Sequence, residues 1–161
     1  MASSYVPVDT YKPIASLNDS AGSAKLSKSD LDNVEKYADK LYKSVGVDIE
    51  FTRHFLDRVN DERNKRQITV AELIRLFKQA YKKYGKQIPE LGDDAQAVLN
   101  DMKTDVNMPF VLKWDGKEFE LVAKTIMRKK DFKTSNKKLS FEETQPRRIL
   151  NIVKNHKKKY D

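Results

Sequence analysis

The run ITVAELIRLFKQAYKKYG at residues 68–85 leaves little choice but a helix. Thr69 and Glu72 are spaced as a capping box, in which the hydroxyl and the carboxylate each take a backbone N–H of the opening turn. Ile68 and Leu73 flank the box as a hydrophobic staple. Apolar side chains then recur at Val70, Leu73, Phe77, Ala80, Tyr81 and Tyr84, a single stripe of helical period. Gly85 follows and predicts a left-handed stop. Such a stripe must be covered, so the remaining chain has to supply the other side of a core.

The segment immediately before it, FTRHFLDRVNDERNKRQ at 51–67, predicts a partner helix joined by a short polar loop, with Thr52 as its N-cap. Phe55, Leu56 and Val59 are its anchors. His54 and Arg58 are four apart and so lie one above the other beside the core face. Arg53, Asp57, Asp61, Glu62 and Arg63 surround them, and the pattern reads as a solvated face laced with ion pairs. Upstream, Ser29 caps a further helix with apolar positions Leu31, Val34, Ala38, Leu41 and Val45, closed by Gly46.

Downstream, Asp93 and Gln96 predict a third short helix over 93–103 with Ala95, Val98, Leu99 and Met102 facing inward. The period then changes. MPFVLKWDGKEFELVAKTIMRKKDF at 108–132 is centred on Asp115-Gly116, the dipeptide of a type I′ hairpin turn. A two-residue loop pairs Trp114 with Lys117, Leu112 with Phe119 and Phe110 with Leu121, and sets Lys113 opposite Glu118. Phe110, Leu112, Trp114, Phe119 and Leu121 then form the face on the helices, with Trp114 buried. KKLSF at 137–141 adds a short strand. Pro146 opens a terminal helix anchored by Ile149, Leu150, Ile152 and Val153.

The expected class is therefore α+β, with helices packed on one face of a small antiparallel β-sheet that has a central β-hairpin. Residues 1–28, with Pro7 and Pro13 and no regular period, read as an extended or disordered arm. Residues 29–145 form the domain and 146–161 a basic C-terminal helix or tail. A chain of 161 residues suits one core.

Charge is concentrated. Residues 123–161 hold 13 Lys or Arg against 4 Asp or Glu, while the rest of the chain holds 19 against 20. Clustered cations gain affinity for polyanions by releasing condensed counterions, so RNA or DNA phosphates are the expected partners, and acidic protein surfaces would be served equally well. Lys129, Lys130, Lys133, Arg147, Arg148, Lys157, Lys158 and Lys159 are the expected contacts. Cysteine is absent, which excludes thiol catalysis and cysteine metal sites. The opening MASSYVPVDTYKP lacks the basic and apolar regions of a signal peptide, and nothing approaches the roughly 20 apolar residues of a membrane span. The expectation is a soluble, intracellular protein that is not secreted by a signal peptide, with no membrane partner.

Gly-rich phosphate loops, nucleophile elbows and paired metal-spaced histidines are all missing. His54 and His156 are the only imidazoles, and no cofactor or metal is expected. One His among cations fits RNA cleavage by its own 2′-hydroxyl. The imidazole moves protons near neutral pH, while Arg and Lys stabilise the charge that develops on phosphate oxygens.

TRHFLDRVNDERNKRQITVAELIRLF resembles the opening of RelE- and BrnT-like toxin domains of the barnase, colicin and RelE ribonuclease group. Many begin Ser/Thr-x-His-x-x-x-Arg-x-x-x-Arg, continue to Ile-Thr and a second helix, and then form a curled antiparallel sheet; here the closing arginine, Arg63, stands one position late. Thr52, His54, Arg58, Ile68 and Thr69 fit that pattern, and LVAKTIMRKKDF resembles the strand that carries the basic groups. The resemblance covers about residues 51–132 and extends to uncharacterised tailed-phage proteins, which implies the host cytoplasm or the virion as the location. It implies a metal-independent endoribonuclease with His54 transferring protons and Arg58, Lys124 and Arg128 contacting phosphate. The alternative is a non-enzymatic virion or assembly protein, whose N-terminal arm and C-terminal tail bind neighbouring subunits or nucleic acid.

Overall fold

A computed structural model describes residues 24–142. Three helices and six strands follow one another as α1 (Lys28–Tyr42), β1 (Val47–Phe51), α2 (Phe55–Val59), α3 (Val70–Tyr84), β2 (Gln96–Asp101), β3 (Val106–Trp114), β4 (Phe119–Ala123), β5 (Met127–Arg128) and β6 (Lys137–Phe141). The capping box forms: Thr69 Oγ1 accepts from Glu72 N at 3.1 Å, and Glu72 Oε1 accepts from Thr69 N at 3.0 Å. Gly85 does not stop α3 in the left-handed region, since its φ is −46°. That role falls to Gly46 after α1, with φ at 73°. The first helix is capped by Ser27 rather than Ser29, again through a reciprocal box, with Asp30.

The sheet runs β1-β4-β3-β2-β6, and β5 pairs with β3 beyond the end of β4. Strand β3 runs antiparallel to both of its neighbours, β2 and β4, but β1 lies parallel to β4 and β6 parallel to β2. The expected antiparallel sheet is thus corrected to a mixed one. Its outer strands arrive through crossovers, which parallel pairing requires. Side chains cap both outer edges. Asp39 Oδ1 accepts from Ile49 N on β1 at 2.7 Å, while Tyr84 Oη donates to Ser140 O on β6 at 2.6 Å. Unpaired edge groups are the usual template for strand addition, and these two are occupied.

Alternation decides which residues meet the helices. Ile49, Leu121, Leu112, Phe110, Leu99 and Leu139 share one core with Leu73, Leu76, Phe77 and Ala80 of α3 and Val34 and Ala38 of α1. Phe77 is fully buried, and its ring lies edge-on to Tyr42, 6.1 Å between centroids. Tyr42 Oη donates to Phe77 O at 2.8 Å, which satisfies a hydroxyl inside the core.

Two further expectations fail for identifiable reasons. The segment read as a third helix is strand β2, the middle of the β3-β2-β6 half of the sheet. Ala97, Val98, Leu99, Asn100 and Asp101 are all buried. A strand covered on both faces loses its period-2 alternation, and a short apolar run then imitates a helix. The hairpin register is also displaced. Trp114 pairs with Phe119, Leu112 with Leu121 and Phe110 with Ala123, which shifts each expected partner by two residues. Asp115 is the cause: its Oδ1 accepts from Lys117 N and Glu118 N, and so holds a four-residue loop. Lys113 accordingly faces Glu120 instead of Glu118. The two-residue shift preserves the face but carries Trp114 to the sheet's open end, where it is 49% exposed against Phe119 rather than buried. The terminal helix expected from Pro146 lies outside the described residues.

Candidate nucleic-acid interface

The loop from β1 into α2 carries the sequence's central candidate. Thr52 is not the N-cap of α2. His54 occupies that position and makes no side-chain capping bond. The work of Thr52 is set instead by Pro109 in β3. Lys124 N donates to Pro109 O at 2.9 Å, but Pro109 has no N–H to return the bond to Lys124 O. Thr52 Oγ1 supplies it, donating to Lys124 O at 2.9 Å. The missing proline donor also ends β4 at Ala123, and pairing with β3 resumes only at Met127. One proline therefore opens a gap in the ladder, and the β1–α2 loop is pinned to that gap.

Arg53 and His54 stand on this pinned loop. Both are exposed, and neither side chain makes a hydrogen bond or ion pair with the described residues. Lys124 projects from the sheet face opposite the helices, where its Nζ donates to Gln96 Oε1 at 3.1 Å. His54 and Lys124 are thus brought to neighbouring backbone, through Thr52. Arg58 lies further along the single turn of α2, 3.8 Å from Asp61. Arg63 binds that same carboxylate more closely, at 2.8 Å, and its hydrogen bonds hold Asp61 down at about 2.

Arg128 is placed differently from the other three. Its Nε donates to Arg66 O, one terminal nitrogen to Thr104 O and Glu72, and the other to Gln67 O and Glu72. All five guanidinium N–H groups are occupied, so none remains for a phosphate. Arg128 ties the N-terminus of α3 to β5.

The chain next crosses from β5 to β6 over the far face of the sheet. Asn107, on that face, donates to Lys129 O at 3.0 Å. Asn100 donates to Asn107 at 2.7 Å and Ser140 donates to Asn100 at 2.7 Å, a polar ladder beneath the crossing. Lys129, Lys130, Lys133, Lys137 and Lys138 are exposed along it, with Asp131 the single acid among them. Lys137 and Lys138 were readable in KKLSF but were assigned only to strand formation. The expected contacts Arg147, Arg148, Lys157, Lys158 and Lys159 lie outside the described residues.

The opposite end of the same face is acidic, and sequence reading missed it. Asp48, Glu50 and Glu120 bring carboxylate oxygens within 4.8 Å of one another. Burial first, and neighbouring carboxylates second, push Glu35 up to about 6. Asp39 also rises to about 6, chiefly through burial. The signal was present in VDIEF, whose strict alternation marks both strand β1 and its acidic side. Three such carboxylates form the all-oxygen donor set that hard cations take, and Asp39 of α1 adjoins them through Asp48.

No helix among the described residues is long and apolar enough to cross a membrane. No family model matches this chain, and neither a curated protein nor a solved structure matches it.

Proposed function

We propose that this chain is a RelE-like, phage-type nucleic-acid-binding domain whose crossover lysines grip the phosphate backbone. The observation that carries this reading is the run of exposed cations at Lys129, Lys130, Lys133, Lys137 and Lys138 beside a single acid. Each is fixed to a backbone path anchored by Asn107 and by Lys138, whose Nζ donates to Phe132 O at 2.7 Å. A positioned row of ammonium groups binds phosphates without reading bases. The triple substitution Lys129→Gln, Lys130→Gln, Lys133→Gln is expected to weaken binding of single-stranded RNA. It also lowers the slope of log affinity against log salt by about 2, at about 0.7 per lost contact. An unchanged slope removes the crossover as the interface.

The narrower form of this reading is metal-independent RNA cleavage. His54 transfers protons, and Arg58 and Lys124 stabilise the phosphate, while Arg128 holds the scaffold. The exposed His54, two residues from the Thr52 that is bonded to Lys124 O, and with no side-chain partner among the described residues, supports it. His54→Ala should slow cleavage about 10²–10⁴-fold with folding intact, and chelators should have no effect. Single-stranded RNA left whole by the wild type from about pH 5 to about pH 9 discards catalysis and leaves the binding function standing.

A further inference from the structure

A second cationic feature lies away from the crossover. Between the N-terminal residues that lead into α1 and the loop joining α2 to α3 runs a groove of ≈ 630 Å³. That size is typical of small-ligand sites. Its walls carry Lys25, Lys65 and Arg66 together with Asp61, Glu62 and Glu72. The formal balance of three and three misstates its electrostatics. Asp61 is already bound by Arg63 at 2.8 Å, and Glu72 by Arg128 at 2.8 Å. Glu62 is the remaining acid. Lys25 and Lys65 make no ion pair with the described residues, and Arg66 sits 3.6 Å from the already neutralised Glu72 with its side chain 68% exposed. The field inside the groove is therefore positive.

The backbone beneath these cations is strained. Lys65 has φ 69° and ψ −53°, and Arg66 N donates to Asn64 O at 2.7 Å, a tight γ-turn of the positive-φ kind that a side chain disfavours. Its neighbour keeps it in place. Asn64 is buried, donates to Arg58 O at 2.8 Å and accepts from Arg128 N at 2.9 Å. Glycine would take this conformation with less strain, yet the position holds a lysine on the groove wall. Strain held by surrounding structure at a charged rim is the mark of a placed group.

We propose that this groove is a phosphate-binding site, with Lys65 and Arg66 as the principal contacts and Lys25 closing the opposite side. The ligand is a phosphate ester, supplied either by a mononucleotide or by one residue of a nucleic-acid strand. The site is built from different residues than the crossover, so it stands or falls apart from the function proposed above.

The test is a titration of the full chain with inorganic phosphate, adenosine monophosphate and a short single-stranded RNA lacking terminal phosphates. Backbone amide signals of residues 60–69 are followed in each. The expected result is a saturable shift at Lys65, Arg66 and Gln67 with at least one of the three probes. Saturation by adenosine monophosphate alone identifies a mononucleotide, and displacement of it by the RNA identifies a strand. Lys65→Gln with Arg66→Gln should weaken the response at least about tenfold, the loss of one or more charge-assisted bonds, while Lys86→Gln, at an exposed lysine beyond the other end of α3, leaves it unchanged. Lys65→Gly is the sharper variant, because it should raise the melting temperature by relieving the turn and weaken binding by removing the charge. Absence of any saturable shift overturns the site. So does a Lys65→Gly protein that is more stable and binds phosphate as the wild type does.

Discussion

The two faces of the sheet obey different rules. On the helix side, the five longer strands contribute apolar side chains to one core, and position is decided by exclusion of water. On the far side, charge is sorted along the sheet. Carboxylates gather at β1 and β4, an amide and hydroxyl ladder lies across β2, β3 and β6, and lysines follow the crossover. The first face specifies the fold, and the charge it admits is paired: Asp101, with no exposed surface, is held by Arg75 of α3 at 2.7 Å. The second is freed from that duty and can hold opposite fields at its two ends, which is where an interaction surface for a polyanion can develop without weakening the core. The acidic end would repel the same strand that the lysines attract, and so would orient it.

The largest break in this comparison should come from the helix face. Phe77 has no exposed surface and touches Tyr42 and Phe51. Phe77→Ala should cost about 3–5 kcal/mol, through lost transfer energy and the cavity left behind. Urea unfolding measures it. A variant that unfolds at the wild-type midpoint would mean that α3 does not organise the core.

The far face should give a smaller but distinct loss. Asn107 is fully buried, and its amide donates to Asp105 O and Lys129 O while its carbonyl accepts from Asn100. Asn107→Ala leaves these groups unpaired, at about 1–3 kcal/mol. It should also loosen the crossover, so amides of residues 129–136 should exchange faster than in the wild type. Equal stability loss with unchanged exchange would make the ladder a packing device only, and would separate it from the placement of the lysines.

How much of this was legible follows the same division. Helix α3 was readable because propensity, capping and a one-sided stripe all agree at Thr69, Glu72 and Phe77. The hydrophobic face of β3 and β4 was readable because it alternates at Phe110, Leu112 and Leu121. What escaped depends on the far face or on atoms distant in sequence. Strand β2 lost its alternation because the crossover covers Val98 and Asn100. Thr52 looked like a helix cap because nothing local reveals that Pro109 leaves Lys124 O without a donor. Arg128 looked like a phosphate contact because its partners, at Arg66, Gln67, Glu72 and Thr104, are scattered over the chain. Of the candidate catalytic set, Lys124 and the exposed His54 and Arg58 keep available side chains, and Arg128 does not.

The smallest effect belongs to the acidic end, and its sign distinguishes the two faces. Glu35 rises from 4.5 to about 6 and Asp39 from 3.8 to about 6, each mainly by burial and then by neighbouring carboxylates. A carboxyl with a higher pKa in the folded state holds its proton there after the unfolded chain has released it. Folding therefore takes up protons between about pH 4 and about pH 6, and stability falls as pH rises through that window. Asp61, held at about 2, acts in the opposite sense, with its stabilisation lost only at lower pH, as pH falls through that value. The windows scarcely overlap. Both acidic side chains are only half-buried, so solvent screens the effect and it should lie well below that of Asn107→Ala. The check is Glu35→Gln with Asp39→Asn, which keeps an oxygen to accept from Ile49 N. At about pH 7 this variant should unfold at a higher denaturant midpoint than the wild type, and at about pH 4 the difference should close. A constant difference at both pH values would mean that the substitutions act through packing. Glu35 and Asp39 of α1 would then not be crowded against Asp48 and Glu50 of β1 in solution.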